Sequence, residues 1–200
     1  LFKLTRQNDL CVGIPYAIRN NSQLENMVGI LLNTLVLRSY PEKGKTFSEF
    51  LSEVKDIALG AYTNADYPFE MLLKETDHKR EEGRNPIFDV LFNSVTSGNP
   101  QNETENDTAD DQLQFTSYGQ EERMSTFDIY VMMQVVQSGI RFTVNYKTGL
   151  FVNSTIKYFM DEYCKLLEEV TQSQDRALEA YSAFARKKKK SNKIQVINNR

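Results

Sequence analysis

The residue types best suited to catalysis are scarce in this sequence, and its single histidine is the first to consider. His78 lies among charged residues, with Lys79 and Arg80 directly after it. A histidine that acts as a base is usually oriented by a second side chain, and the flanking sequence offers no such partner. We therefore interpret His78 as a solvated surface residue rather than as a catalytic base.

The two cysteines offer no obvious chemistry either. Cys11 and Cys164 lie far apart in apolar surroundings. Their separation matches neither a zinc-binding spacing nor a disulfide framework. Unpaired cysteines of this kind are typical of a reducing compartment, so we expect a cytoplasmic protein without a metal site.

Composition narrows the class of protein. The chain has 200 residues, of which 40% are hydrophobic and 26% are charged, as expected for a globular domain. A net charge of -3 argues against a nucleic-acid-binding surface. The longest apolar stretch, Met27 to Leu37, is too short and too interrupted to span a bilayer, and no signal peptide is visible. We therefore expect neither a nucleic-acid nor a membrane partner.

The apolar pattern alternates between strand and helix periods. Strands are predicted at Leu10–Ile18, within Met27–Arg38 as a buried run from Ile30 to Leu37, at Ile87–Val95, and as a hairpin of Phe127–Val136 and Ile140–Tyr146 around Gln137-Ser138-Gly139. In the second hairpin strand, Ile140, Phe142, Val144 and Tyr146 alternate with polar residues, which predicts one buried and one wet face.

Three helices are predicted, two between these strands and one after the last of them. Thr46 and Glu49 form a capping box before an apolar stripe from Phe47 to Ile57. Pro68 lies in the first turn of a second helix near Asp66. Asn153 or Ser154 is predicted to cap a long third helix that reaches Val170, in which Tyr158, Phe159 and Tyr163 belong to the core-facing stripe.

Two polar segments complete the chain. Residues 100–112 carry many acidic and few apolar side chains, which predicts a mobile loop. Beyond Gln174 the apolar content falls, and the basic run of residues 186–190 favours a solvated linker. The first residue is Leu1, not methionine, which indicates a piece of a longer protein. We expect one mixed α/β lobe over residues 1–172 and a polar, basic tail over 173–200.

Six segments, in this order, resemble the motifs of condensation domains from non-ribosomal peptide synthetases. They are VGIPYAIRN at 12–20, VGILLNTLVLR at 28–38, DYPFE at 66–70, REEGRNPIF at 80–88, FDI at 127–129 and YKTGLF at 146–151. One such match is weak, but six in order are specific. Departures from the family's usual residues occur at Asn64-Ala65, at Glu81, at Gly83 and, within the pair Thr148-Gly149, at Gly149.

This resemblance implies a fold and a reaction. The fold is that of chloramphenicol acetyltransferase, with two similar lobes around a tunnel; this chain corresponds to the second lobe, a mixed sheet with helices on one side. The reaction joins a donor acyl thioester to the amine of an acceptor aminoacyl thioester, both held on carrier proteins. The family's His-His-x-x-x-Asp-Gly motif lies in the first lobe and is absent here, so we expect the chain alone to be inactive.

The resemblance also points to binding residues. Asn33 and Thr34 interrupt an apolar strand, and either bond to backbone at the strand end or line the tunnel between lobes. Arg19 and Arg38 each end a strand, and are either surface groups or contacts for the phosphopantetheine of a carrier. Pro68-Phe69-Glu70 and Arg84-Asn85-Pro86 are expected to be structural. No cofactor is expected to bind directly, because carriers present the phosphopantetheine.

The implied partners are the first lobe, peptidyl carrier domains and a following adenylation domain. The main alternative is a non-catalytic module that docks carrier or adenylation domains. A coenzyme A-dependent acyltransferase and an epimerisation domain are disfavoured, the first by the 66–70 and 80–88 segments together and the second by the 12–20 strand.

Overall fold

The computed structural model describes residues 1–18, 22–76, 83–95 and 127–184. In chain order the elements are α1 (Phe2–Thr5), β1 (Leu10–Ala17), α2 (Ser22–Glu25), β2 (Leu32–Ser39), α3 (Phe47–Thr63), α4 (Phe69–Glu75), β3 (Val90–Val95), β4 (Ile129–Val136), β5 (Gly139–Tyr146) and α5 (Asn153–Gln172), followed by a short 3₁₀ turn at Leu178–Ala180. The predictions made for Arg19, His78, the acidic stretch 100–112 and the basic run 186–190 fall outside the described residues.

The described strands form one mixed sheet in the order β2-β1-β3-β4-β5. The β1–β2 and β4–β5 pairs are antiparallel, whereas β1–β3 and β3–β4 are parallel. The predicted hairpin is confirmed, since Val136 pairs with Gly139 across the two-residue turn. Gly139 has a φ of 136°, a conformation that favours glycine over other residues at this turn.

Both long helices pack on the same face of the sheet. On α5, Ile156 packs against Ile129 and Val131 of β4. On α3, Tyr62 stacks on Tyr16 of β1 with ring centroids 5.4 Å apart. The strand register places Tyr16 on the face that carries the β4 core residues. The predicted mixed sheet with helices on one side is therefore confirmed.

The residues at the starts of α3 and α4 show why these two helices begin where they do. The Thr46 hydroxyl accepts from the Glu49 amide at 3.2 Å, and the Glu49 carboxylate accepts from the Thr46 amide at 2.8 Å, so the predicted capping box is confirmed. The hydrogen bonds that the Glu49 carboxylate accepts from the Thr46 amide and from the Thr46 hydroxyl hold the pKa of Glu49 below its ordinary value. The second predicted helix, α4, begins at Phe69 rather than near Asp66, so that Pro68 is its extended N-cap residue and does not lie in its first turn.

The predicted cap of α5, Asn153 or Ser154, is wrong by one or two residues. Val152 occupies the N-cap position and no side chain caps the helix. The amides of Leu150 and Phe151 both donate to the carbonyl of Lys147. These bonds form a turn that orients the backbone for the helix that follows. The chain therefore becomes helical at Asn153 itself, rather than after it.

Besides β4, which starts at Ile129 rather than at Phe127, two predicted strands begin later than expected. The first is β3, which starts at Val90 rather than at Ile87. The side-chain oxygen of Asn85 accepts from the amides of Ile87 and Phe88 at 3.0 and 3.2 Å, which turns the chain before the strand.

The second is β2, whose predicted buried run from Ile30 is wrong at its start. Pairing with β1 begins only at Leu32, and Ile30 is 90% exposed. Among the described residues, no helix is long and apolar enough to cross a bilayer.

Candidate functional site

Asn33, a predicted tunnel residue, uses its whole side chain to hold the corner between α3 and α4. Its Nδ2 donates to the carbonyls of Ala65 at 2.7 Å and Tyr67 at 2.8 Å. Its Oδ1 accepts from the amides of Thr34 at 2.8 Å and Phe69 at 3.2 Å. The structure thus shows the backbone-bonding alternative at this residue, and a place beside a tunnel stays a prediction.

Thr34 faces the opposite side of the sheet. Side chains alternate along β2, so Thr34 shares the face away from α3 with its β1 partner Pro15. The same face carries a polar pair in the middle of the sheet, where Asn93 donates to the Tyr130 hydroxyl at 3.1 Å. Sequence reasoning missed this pair, although Asn93 interrupts an apolar run just as Asn33 does.

The guanidinium of Arg38, one of the two residues considered as a phosphopantetheine contact, forms an ion pair with the carboxylate of Asp9. Its guanidinium binds Asp9 through two hydrogen bonds of 2.8 and 2.7 Å and lies over the ring of Tyr40. The hydrogen bonds from Arg38 hold the pKa of Asp9 below its ordinary value. The ion pair is therefore intact at neutral pH and is lost as the pH falls through that lowered pKa. A phosphate contact stays a prediction, and it would have to displace Asp9.

The structure does not bring Asn33 and Arg38 together. They lie five residues apart on one strand, which corresponds to about 16 Å. Asn33 lies near the α3–α4 corner, whereas Arg38 lies beside the loop before β1. The predicted residues therefore occupy two places along β2.

The start of β2 carries an exposed apolar surface, here called the apolar lead segment and defined as residues 27–32. Val28 is 100% exposed, Ile30 is 90% exposed and Leu32 is 61% exposed. Exposed apolar patches are typical of surfaces that bind a protein, a membrane or a ligand. The segment runs directly into Asn33 and Thr34, so the predicted site lies at its edge.

An ion pair that the sequence analysis did not predict joins the end of β5 to the segment before β4, and both of its side chains are largely buried. Lys147, after β5, donates to Asp128 at 2.8 Å and to the carbonyl of Gly83 at 2.7 Å. Nearby, Arg84 makes a two-bond ion pair with Asp89. These contacts support the structural role expected for the segment around Arg84. Within the described ranges, no three His, Cys, Asp or Glu side chains lie close enough together to hold a metal ion.

Comparison with known sequences identifies the family. The family model described as the condensation domain matches residues 1–191 of this chain. The chain is 32% identical over 191 residues to surfactin synthase subunit 1 of Bacillus subtilis (strain 168), covering 96% of this chain and 5% of that protein. It is 36% identical over 178 residues to tyrocidine synthase 3 of Brevibacillus parabrevis, covering 89% of this chain and 3% of that protein. The chain thus spans a small part of these long relatives.

Solved structures share the fold. A four-domain nonribosomal peptide synthetase bound to AMP and glycine superposes with a TM-score of 0.78 at 18% identity, over 89% of this chain and 14% of that one. The condensation domain of the monacolin K polyketide synthase superposes with a TM-score of 0.70 at 20% identity, over 88% of this chain and 40% of that one. Sequence and fold agree: the chain belongs to the condensation-domain family.

Proposed function

We propose that this chain is the second lobe of a condensation domain in a non-ribosomal peptide synthetase. In this role it helps to form an amide bond between a donor acyl and an acceptor aminoacyl thioester. The observation that carries the proposal is the apolar lead segment, an exposed surface at the start of β2 that a neighbouring lobe would cover. The chain also matches only 40% of one solved condensation domain, which leaves room for a lobe of similar size.

The reaction requires a group that this chain lacks. Amide formation needs positioning of the two thioesters, removal of the ammonium proton and stabilisation of the tetrahedral oxyanion. The sequence holds a single histidine and no His-His-x-x-x-Asp-Gly motif. We assign the imidazole to the preceding lobe, and we assign to this chain one wall of the tunnel, with Thr34 at its edge and Asn33 positioning the α3–α4 corner beside it.

The same proposal defines the partners. Peptidyl carrier domains would present both substrates on phosphopantetheine, and an adenylation domain would follow the basic tail. We place the protein in the cytoplasm, where the free thiols of Cys11 and Cys164 are compatible with the reducing conditions.

The isolated chain is expected to self-associate through the apolar lead segment. Sedimentation velocity at increasing concentration should show dimers or larger species, because water-exposed apolar surface is relieved by association. The double variant Val28→Ser, Ile30→Ser should sediment as a monomer.

A matched control changes two other exposed apolar residues elsewhere. Leu150 is 59% exposed and Val152 is 64% exposed, in the turn before α5. The variant Leu150→Ser, Val152→Ser should associate as the parent chain does. A parent chain that stays monomeric at all concentrations would count against a missing neighbour at this surface.

The direct test is amide formation from loaded carrier proteins, followed by mass spectrometry of the released product. The chain alone should give no product. The chain fused behind a condensation-domain first lobe with its His-His-x-x-x-Asp-Gly motif should give the dipeptide, and alanine at the second histidine should abolish it.

Two results would contradict the proposal. Product from the chain alone would show that the imidazole of the first lobe is not needed. A folded fusion that binds loaded carriers and forms no product would favour the alternative function, a docking module.

A further inference from the structure

The residues after α5 form a packed segment, here called the C-terminal strap and defined as residues 173–184. Their composition predicts a polar linker starting at residue 173, and this prediction is wrong for the strap. In the structure the strap contributes three buried side chains, with Leu178 8% exposed, Tyr181 2% and Ala183 0%. The described fold therefore continues as far as Phe184, and the linker role of the residues beyond it stays a prediction.

The strap is bonded to the start of α3. The amides of Phe47 and Ser48 donate to the carbonyls of Arg176 and Gln174, at 3.1 and 3.0 Å. The amide of Leu178 donates in return to the carbonyl of Lys45 at 2.8 Å. These bonds satisfy amides at a helix start that would otherwise lack partners.

Two glutamates of α5 hold the end of the strap. The Glu169 carboxylate accepts from the Ser182 amide at 2.7 Å and from the Ser182 hydroxyl. The Glu162 carboxylate accepts from the Phe184 amide. Phe184 has a φ of 59°, which is uncommon for a bulky residue, and its ring packs on Phe159 and Tyr158 of α5. These contacts offset the unfavourable backbone conformation.

The strap is also bonded to the other end of the chain. The Lys3 ammonium donates to the carbonyls of Leu178 at 3.4 Å and Glu179 at 3.3 Å, and to that of Tyr181. Lys3 belongs to α1, which has only four residues. A helix this short is not stable by itself in water, so its hydrogen bonds depend on what it contacts.

We propose that the C-terminal strap links the two ends of the described lobe, at Leu1 and Phe184, into one rigid unit. The link consists of the hydrogen bonds of the strap with Lys3, Glu162 and Glu169. Under the proposed function, on which this consequence rests, the strap fixes the point where the chain leaves the lobe, at Phe184, relative to the point where it enters the lobe, at Leu1. A change in the contacts of one of these points is then transmitted to the other through the strap.

Coupling between the two ends must be reciprocal, and amide hydrogen exchange on the full 200-residue chain measures it in both directions. Lys3→Met should raise exchange at least about tenfold at the amides of Ser182, Ala183 and Phe184. Glu169→Gln should raise exchange at the α1 amides of Leu4 and Thr5, which donate to the carbonyl of Leu1. Amides of the β4–β5 hairpin should exchange as in the parent chain.

The matched control is Lys157→Met, at a highly exposed lysine of α5 that pairs with Asp161. It should leave exchange at both ends unchanged. Parent-like exchange at the amides of Ser182 to Phe184 in the Lys3→Met variant would overturn the proposed link between the two ends. A uniform increase that includes the hairpin would also overturn it, because Lys3 would then support general stability only. Neither result bears on amide formation, so the proposed function is tested separately.

Discussion

Replacing Gly13 with alanine is expected to lower the free energy of unfolding by about 3 kcal/mol. A Cβ atom at this position would lie within 3.0 Å of three ring carbons of Phe88, far inside contact distance. The ring cannot simply move aside, because Phe88 is 3% exposed and packs against Phe69 and Phe127. Gly13 pairs with Leu91 at the β1–β3 junction, so the strain falls where the two halves of the sheet meet. Urea denaturation followed by circular dichroism measures the change.

The same substitution at Gly60 provides a control of opposite sign. Gly60 lies inside α3, and a methyl group added there would have no neighbouring atom within 4 Å. Gly60→Ala should therefore stabilise the chain by about 0.5–1 kcal/mol through helix propensity. A Gly13→Ala penalty that persists unchanged in a Phe88→Leu background would contradict the steric explanation.

Replacing Asn33 with alanine is expected to cost about 2–3 kcal/mol of unfolding free energy. The substitution removes two donors to the carbonyls of Ala65 and Tyr67 and one acceptor for the Phe69 amide. Ala65 is 3% exposed, so water replaces its lost bond poorly. The α3–α4 corner should loosen, and exchange of the Phe69 amide should rise more than exchange in the β4–β5 hairpin.

Two further variants separate this role from simple truncation. Asn33→Asp keeps the size but places oxygens against two carbonyls, and it should destabilise the chain at least as much. Thr34→Ala, at the next residue on the opposite face, should cost less than about 1 kcal/mol. Equal losses at Asn33 and Thr34 would contradict the anchoring role of Asn33.

Local patterns predict most of the fold. The capping box at Thr46 and the alternation of the β4–β5 hairpin depend on residues a few positions apart, so the sequence displays them directly. The partners of Asn33 in the α3–α4 corner lie 32 to 36 residues away, and those of Lys3 lie 175 to 178 residues away. No periodicity connects such pairs, and for that reason the sequence does not predict the corner or the strap.

Apolar content misleads the prediction in both directions. In the strap, three buried side chains suffice to pack a segment whose remaining residues are mostly polar. At Ile30 the opposite holds, since an apolar residue in an apolar run is exposed in this chain. A hydrophobic side chain favours a buried position, but its hydrophobicity alone does not show whether it is buried within one lobe or between two lobes.

The apolar lead segment has a consequence for how the protein is made. Synthesis proceeds from the N-terminus, and domains fold in that order on the ribosome. Under the proposed function, the first lobe would already be folded when Val28 and Ile30 emerge, and the nascent apolar stretch would meet a waiting surface. Reversing the gene order of the two lobes would expose nascent chains to aggregation before any catalytic defect appeared.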